Sequence, residues 1–324
     1  MKFRKLTLSA AALGMLLLIL DSKAAAASAY QGISLCLEVV IPSLFPFFLL
    51  SGVLVRSLQD SPMLRPLERV MGVPSGSGCY VLTGFLGGYP IGAQASAEAH
   101  RRGNISLSQA NRLLAFCSQA GPSFLFGMAA AQFPHRGCGW ALWGLQLLCA
   151  WATALLMPRP DSTPVKPRAS SALSLPEAMT ASIKAMAGVC GWVILFRVIL
   201  GFLQRWMLWV LPEAAQILLC GILELSNGCL GLSAVQDVGI RFVLSAVMLN
   251  FGGVCVAMQT AGVAKGLDMG WYWRGKLIQT CLAFSFSAAL AGYPLALVIP
   301  AGMFGRIWLH NSRKSSSIRV AVGV

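Results

Sequence analysis

Residues 79–97 read CYVLTGFLGGYPIGAQASA. The stretch is apolar enough to enter a membrane, yet Gly84, Gly87, Gly88, Pro90 and Gly92 interrupt it. Proline removes a backbone donor and clashes with the preceding turn, and a glycine inside a helix costs about 1 kcal/mol relative to alanine. The pattern predicts two short helices with a turn at Gly87-Gly88-Tyr89-Pro90. A glycine-rich kink in an ordinary span is the competing reading.

The surrounding sequence supplies the environment. The 324 residues are 56% hydrophobic and 11% charged, with a mean hydropathy of +0.70. Soluble domains carry about 25% charged residues, so the chain reads as an all-α polytopic membrane protein in a lipid bilayer. The net charge of +14 is spread over connections and tails, with no basic and aromatic platform. That is the pattern of topology signals, and it excludes nucleic acid as a partner. Ten cysteines sit mostly inside apolar runs and form no C-x-x-C pair. Such cysteines behave as small hydrophobes. No metal site and no cofactor is expected, and no P-loop, H-E-x-x-H or G-x-S-x-G motif suggests an enzyme.

Working outward, residues 1–30 read as an N-terminal membrane anchor. Its basic start and short apolar core also describe a signal peptide, with cleavage near Ala29. The uncleaved span is preferred because the run reaches about 20 residues if Ala24–Ala27 join it. A first repeat covers 31–157, a polar linker 158–175, a second repeat 176–302 and a basic polar tail 303–324. Each repeat has a full helix, an interrupted segment, an arginine-led helix with polar residues at its centre, and a closing helix. The interrupted segments hold Gly87–Pro90 in the first half and Glu224–Gly228 in the second; the helix led by Arg112 has Ser118, Gln119 and Gly121 at its centre, and the helix led by Arg241 has Asn250 and Gly252. Paired interruptions in two halves point to a transporter's binding site.

Positive charge marks the cytoplasmic side. If 79–97 re-enters the membrane without crossing, the N-terminal basic residues, Arg56–Arg69, Arg101–Arg112 and Arg159–Lys184 share one side. Treating 213–233 alike adds Lys265, Arg274 and Lys276. The two halves then start on opposite sides, an inverted repeat with two re-entrant helical hairpins. The basic C-terminal tail falls outside in this scheme, against the charge rule.

Candidate binding residues follow from the interruptions. Gly87, Gly88, Tyr89 and Pro90 would form one hairpin tip, where free backbone N–H groups and the partial positive charge of a helix start suit an anion. Glu224, Ser226, Asn227 and Gly228 form the matching break. A carboxylate at the bilayer centre costs about 2.5–3.5 kcal/mol on insertion scales. Glu224 therefore either faces a cavity and binds substrate, a proton or a cation, or pairs with Arg197. Ser118, Gln119, Gly121, Pro122 and Asn250 coordinate substrate or hydrogen-bond a neighbouring helix. Glu38 can reach the interface.

PSLFPFF (42–48), GFLGGYPIGA (84–93), FCSQAGPSFLFG (116–127) and GILELSNG (221–228) resemble the YlbJ-type sporulation integral membrane proteins. These are placed in the nucleoside-recognition, or Gate, domain group. SIKAMAGVCGWVILF (182–196) fits the second half of that family. The resemblance spans about residues 6–300. It implies a Gate-type fold like that of concentrative nucleoside transporters, in the cell membrane or the outer forespore membrane of endospore formers. It also implies movement of dipicolinic acid, a small aromatic dianion. Gly87–Pro90 and Glu224–Gly228 would be the two tips, and Ser118–Pro122 the facing unwound segment. The chain departs from the family at Ser118-Gln119, where asparagine is usual, and at Arg197, where a small residue is usual. A nucleoside-type carrier and a non-transporting scaffold of spore assembly are the alternatives. A coupling ion or proton, the flux direction and the oligomeric state are left open.

Overall fold

The computed structural model describes residues 2–58, 61–159 and 175–305. Among these it is helical throughout, with no strand. The linker expected at 158–175 lies mostly outside the described residues, as does the tail beyond residue 305.

Helix α1 (Lys2–Leu20) ends at Asp21, whose carboxylate accepts the N–H of Ala24 and caps α2 (Ser22–Leu35). A wide π turn, Cys36–Val40, joins α2 to α3 (Ile41–Ser57). Its position has a simple cause. Pro42 has no N–H for the Glu38 carbonyl, and a widened turn gives the ring room. Residue 30 lies within α2, and the break after α1 is at Asp21.

The short α4 (Arg65–Met71) leads to α5 (Gly78–Gly87) and α6 (Ile91–Arg101). Next come α7 (Leu107–Cys117) and α8 (Pro122–Phe124), which continues in irregular helical turns to Gln132, and then α9 (Gly137–Leu156). The second half opens with α10 (Leu175–Trp206). It continues with α11 (Glu213–Leu223), α12 (Leu225–Gly231), α13 (Val238–Phe251), α14 (Gly253–Val263) and α15 (Met269–Leu290). The order in each half is a long helix, two short arms, an interrupted helix and a closing helix.

The two halves pack on each other: α2 on α10, α9 on α15, α7 on α15 and α13 on α9. Small residues set the α2–α10 distance: Ser28 and Gly32 lie against Gly201 and Ile194. Without water to expel, helices in lipid associate through such close van der Waals packing. Five helical stretches are long and apolar enough to cross a membrane: Ser22–Leu50, Leu107–Gln132, Gly137–Leu156, Leu175–Trp206 and Val238–Val263. Their outward residues, such as Leu37, Leu50, Trp140, Leu195 and Ile199, are large, apolar and exposed.

Two basic residues counted as topology signals are buried. Arg112 donates to the carbonyls of Gly72 (2.9 Å), Met71 (3.3 Å) and Ala154 (2.7 Å). It therefore satisfies carbonyls at the C-terminal ends of α4 and α9, where a cation also meets the negative end of the helix dipole. Arg241, its counterpart in the second half, donates to Val235 and Gln132 carbonyls. The other correction is Lys276. The closing helix of the second half starts at Met269, which places Lys276 within α15, fully buried.

Candidate functional site

Helices α5 and α6 fold back on each other. The Cα of Gly84 lies 2.7 Å from where a Cβ on Gly92 would stand, although eight residues separate them. One continuous helix would hold them about 12 Å apart. The arms cross where neither has a side chain, and both glycines rest on the Cys117 carbonyl at the end of α7. The turn is Gly88-Tyr89-Pro90, with a cis Tyr89–Pro90 bond. Gly88 adopts φ 70°, ψ −165°, a conformation essentially limited to glycine. It faces Gly121 at the start of α8. Tyr89 reaches the other half, where its hydroxyl donates to the Leu249 carbonyl at 2.5 Å and its ring lies beside Gly252.

The second pair of arms repeats this device. Gly228 on α12 abuts Gly221 on α11 across a break at Glu224. Gly253, where α13 gives way to α14, lies against the Gly221 and Ile222 carbonyls. Each pair of arms therefore rests on an interrupted helix of its own half, and Tyr89 ties the first turn to the interruption in the other half.

Glu224 is buried, 2% exposed. Its carboxylate accepts the N–H groups of Ser226 (3.1 Å) and Asn227 (2.9 Å) and the Asn227 side-chain amide (2.6 Å). It caps its own half-helix, where donors and dipole both favour an anion. Arg197 is not its partner. That guanidinium donates to Gln31 at 2.5 Å, and no ion pair joins it to Glu224 among the described residues. Of the two readings open for Glu224, the paired one fails. The carboxylate is engaged by its own helix start.

The centre of the protein is Lys276, which sequence reasoning missed. Its ammonium donates to the Ser118 carbonyl, to the Asn250 carbonyl (3.1 Å) and to Gln279 Oε1 (3.4 Å). Ser118 closes α7 and Asn250 is in the last turn of α13, so one cation joins both interrupted helices. The Tyr89 ring centroid is 5.0 Å away and that of Tyr272 is 5.9 Å away. Gln279 accepts from Gln119 Nε2 at 2.9 Å and donates to the Ala115 carbonyl at 3.1 Å. Gly275 makes the approach possible, because a Cβ there would collide with the Ala115 backbone. The spacing of Tyr272, Lys276 and Gln279 puts all three on one helix face. That was the available signal.

Ser118, Gln119, Tyr89 and Asn250 therefore converge, and Gly88 and Gly121 touch beside them. Glu224, Ser226, Asn227 and Gly228 form a neighbouring group at the second break. Pro122 opens α8, Pro90 caps α6 and Gly87 ends α5. Of the eight buried side-chain polar atoms without a partner among the described residues, four are Ser118 Oγ, Gln119 Oε1, Asn250 Oδ1 and the Oε1 of Gln146. Gln146 donates to the Ala120 carbonyl, so all four belong to the interruptions in α7–α8 and α13–α14. A buried polar atom without a partner is costly, and where several gather a polar guest is the economical explanation. An open cavity of about 570 Å³ lies elsewhere, lined by Gln94, Glu177, Thr180, Lys184 and Val263. Val263 is ten residues along α14 from Gly253, about 15 Å, so this cavity is an outer recess and not the convergence itself.

The chain is similar to a protein described as the sporulation integral membrane protein YlbJ of Bacillus subtilis (strain 168). The two are 28% identical over 308 residues, covering 79% of this chain and 74% of that one. No family model matches the chain, and no solved structure does. The relative and the apolar helices agree: this is an integral multi-pass membrane protein.

Proposed function

Taking the likeness to a sporulation integral membrane protein as premise, we propose that the chain is a secondary or facilitative carrier of a small anionic metabolite. Dipicolinate in the forming spore is the first candidate. The observation that carries this reading is the meeting of the helix interruptions around Lys276, a buried cation with no carboxylate bound to it among the described residues. An anionic cargo would complement that charge. The uncapped starts of α6 and α14 add free N–H groups and the positive ends of two dipoles.

In this reading α5–α6 and α11–α12 are re-entrant hairpins of a Gate-type fold, entering from opposite faces. Residues 31–157 and 176–302 are the two inverted repeats, and the outer recess beside α6 is an access route. A second reading, a nucleoside-type carrier, is favoured by a different observation. The unpartnered atoms of Gln119, Gln146 and Asn250 are acceptor oxygens, which suit a cargo with N–H or O–H groups.

Uptake of labelled dipicolinate into vesicles tests the first reading. Vesicles with the wild-type protein are expected to load well above protein-free vesicles. Asn227→Ala, which strips one donor from Glu224, is expected to lower uptake about tenfold, the worth of a hydrogen bond to a charged group. Equal loading with and without protein, with no uptake of labelled nucleosides either, leaves the scaffold reading.

A further inference from the structure

Lys276 is surrounded by oxygens that metal ions prefer. The ammonium donates to two backbone carbonyls, Ser118 and Asn250, and to Gln279 Oε1. Both carbonyls stand at the C-terminal ends of half-helices, α7 and α13. Each helix end carries a partial charge of roughly −0.5. Two together oppose one positive charge, which is why the lysine lies buried without a bound carboxylate. Gln279 Oε1 is aimed by the Gln119 amide, and the Tyr89 ring closes one side. Unwound carbonyls and half-helix C-terminal ends are the groups with which discontinuous membrane helices coordinate Na⁺.

We infer that the Lys276 ammonium is a built-in monovalent cation, seated in a carbonyl site that would otherwise take Na⁺. Substrate movement then needs no sodium. That last step rests on the carrier reading, whereas occupancy of the site by lysine does not. A lysine on its stem cannot leave, so the bridge between the two interrupted helices is permanent.

The test measures thermal unfolding of the purified full-length protein in detergent, without substrate. NaCl, KCl and choline chloride are compared at equal ionic strength. The wild-type melting temperature is expected to be the same in all three. Lys276→Ala leaves the carbonyls facing an empty space and is expected to melt lower in choline. It should then recover by roughly 3 °C or more, saturably, with Na⁺. Lys276→Gln, which fills more of the space, serves if the alanine variant fails to accumulate. Sodium-specific stabilisation of the wild type would overturn the inference. So would a neutral variant that melts alike in NaCl, KCl and choline chloride. Because the readout is stability, a failed uptake experiment leaves this result standing.

Discussion

Gly88→Ala is expected to abolish or nearly abolish folded protein, while Gly103→Ala is expected to be mild. The two positions have nearly the same φ, 70° and 72°. They differ in space, and at Gly88 the ψ of −165° adds a backbone strain that residues other than glycine essentially do not bear. A Cβ on Gly88 would stand 2.5 Å from the Gly121 nitrogen and 2.8 Å from its Cα, whereas nothing lies within 4 Å at Gly103. At Gly103 the change meets only backbone strain, about 1–2 kcal/mol. At Gly88 it also overpacks a backbone-to-backbone contact, adding about 1–3 kcal/mol or more. Against a total stability of about 5–15 kcal/mol, the sum threatens the fold. Melting curves of the two variants check this. Equal curves would mean that the turn does not press on the start of α8.

Glu224→Ala is the second large effect. It leaves the Ser226 and Asn227 N–H groups and the Asn227 amide without their acceptor, inside a buried helix start. Each buried unsatisfied donor costs about 1–3 kcal/mol. Glu224→Gln keeps one acceptor oxygen, so its melting temperature is expected to fall between those of wild type and the alanine variant. The Arg197 pairing reading forecasts something different: rescue when both charges are exchanged, as Glu224→Arg with Arg197→Glu. No rescue is expected, because Arg197 is held by Gln31. A double variant more stable than Glu224→Arg alone would restore the ion pair.

The interruptions were legible because glycine and proline act locally. Gly88 and Pro90 stop a helix whatever surrounds them, and the turn between the arms falls where 79–97 suggested, although α6 runs on to Arg101. The polar residues at Ser118, Gln119 and Asn250 stood out against apolar neighbours. Lys276 did not. A lone lysine at the edge of an apolar run reads as a boundary charge, and only the path of α15 beside α7 shows otherwise. Arg112 escaped for the same reason. Its partners at Gly72 and Ala154 lie 40 and 42 residues away. Glu224 was recognised as costly but assigned to a cavity or a distant arginine. Glutamate is not among the favoured capping residues, so its local role was easy to pass over. Asp21 lay in a stretch that also fitted a signal-peptide boundary, and its capping of α2 appears only in the helix itself.

In the proposed carrier both broken segments dip into the bilayer and return, from opposite faces. Single cysteines at exposed positions flank each segment: Ser75→Cys and Ser108→Cys around α5–α6, Ala214→Cys and Gln236→Cys around α11–α12. The background lacks the three cysteines that are not buried, Cys138, Cys190 and Cys281. Sealed vesicles of one orientation are treated with a membrane-impermeant maleimide. The expected result is that residues 75 and 108 react from one face and residues 214 and 236 from the other. Labelling of 75 and 108 from opposite faces, or of 214 and 236 from opposite faces, would mean that the segment crosses the membrane, contradicting the account.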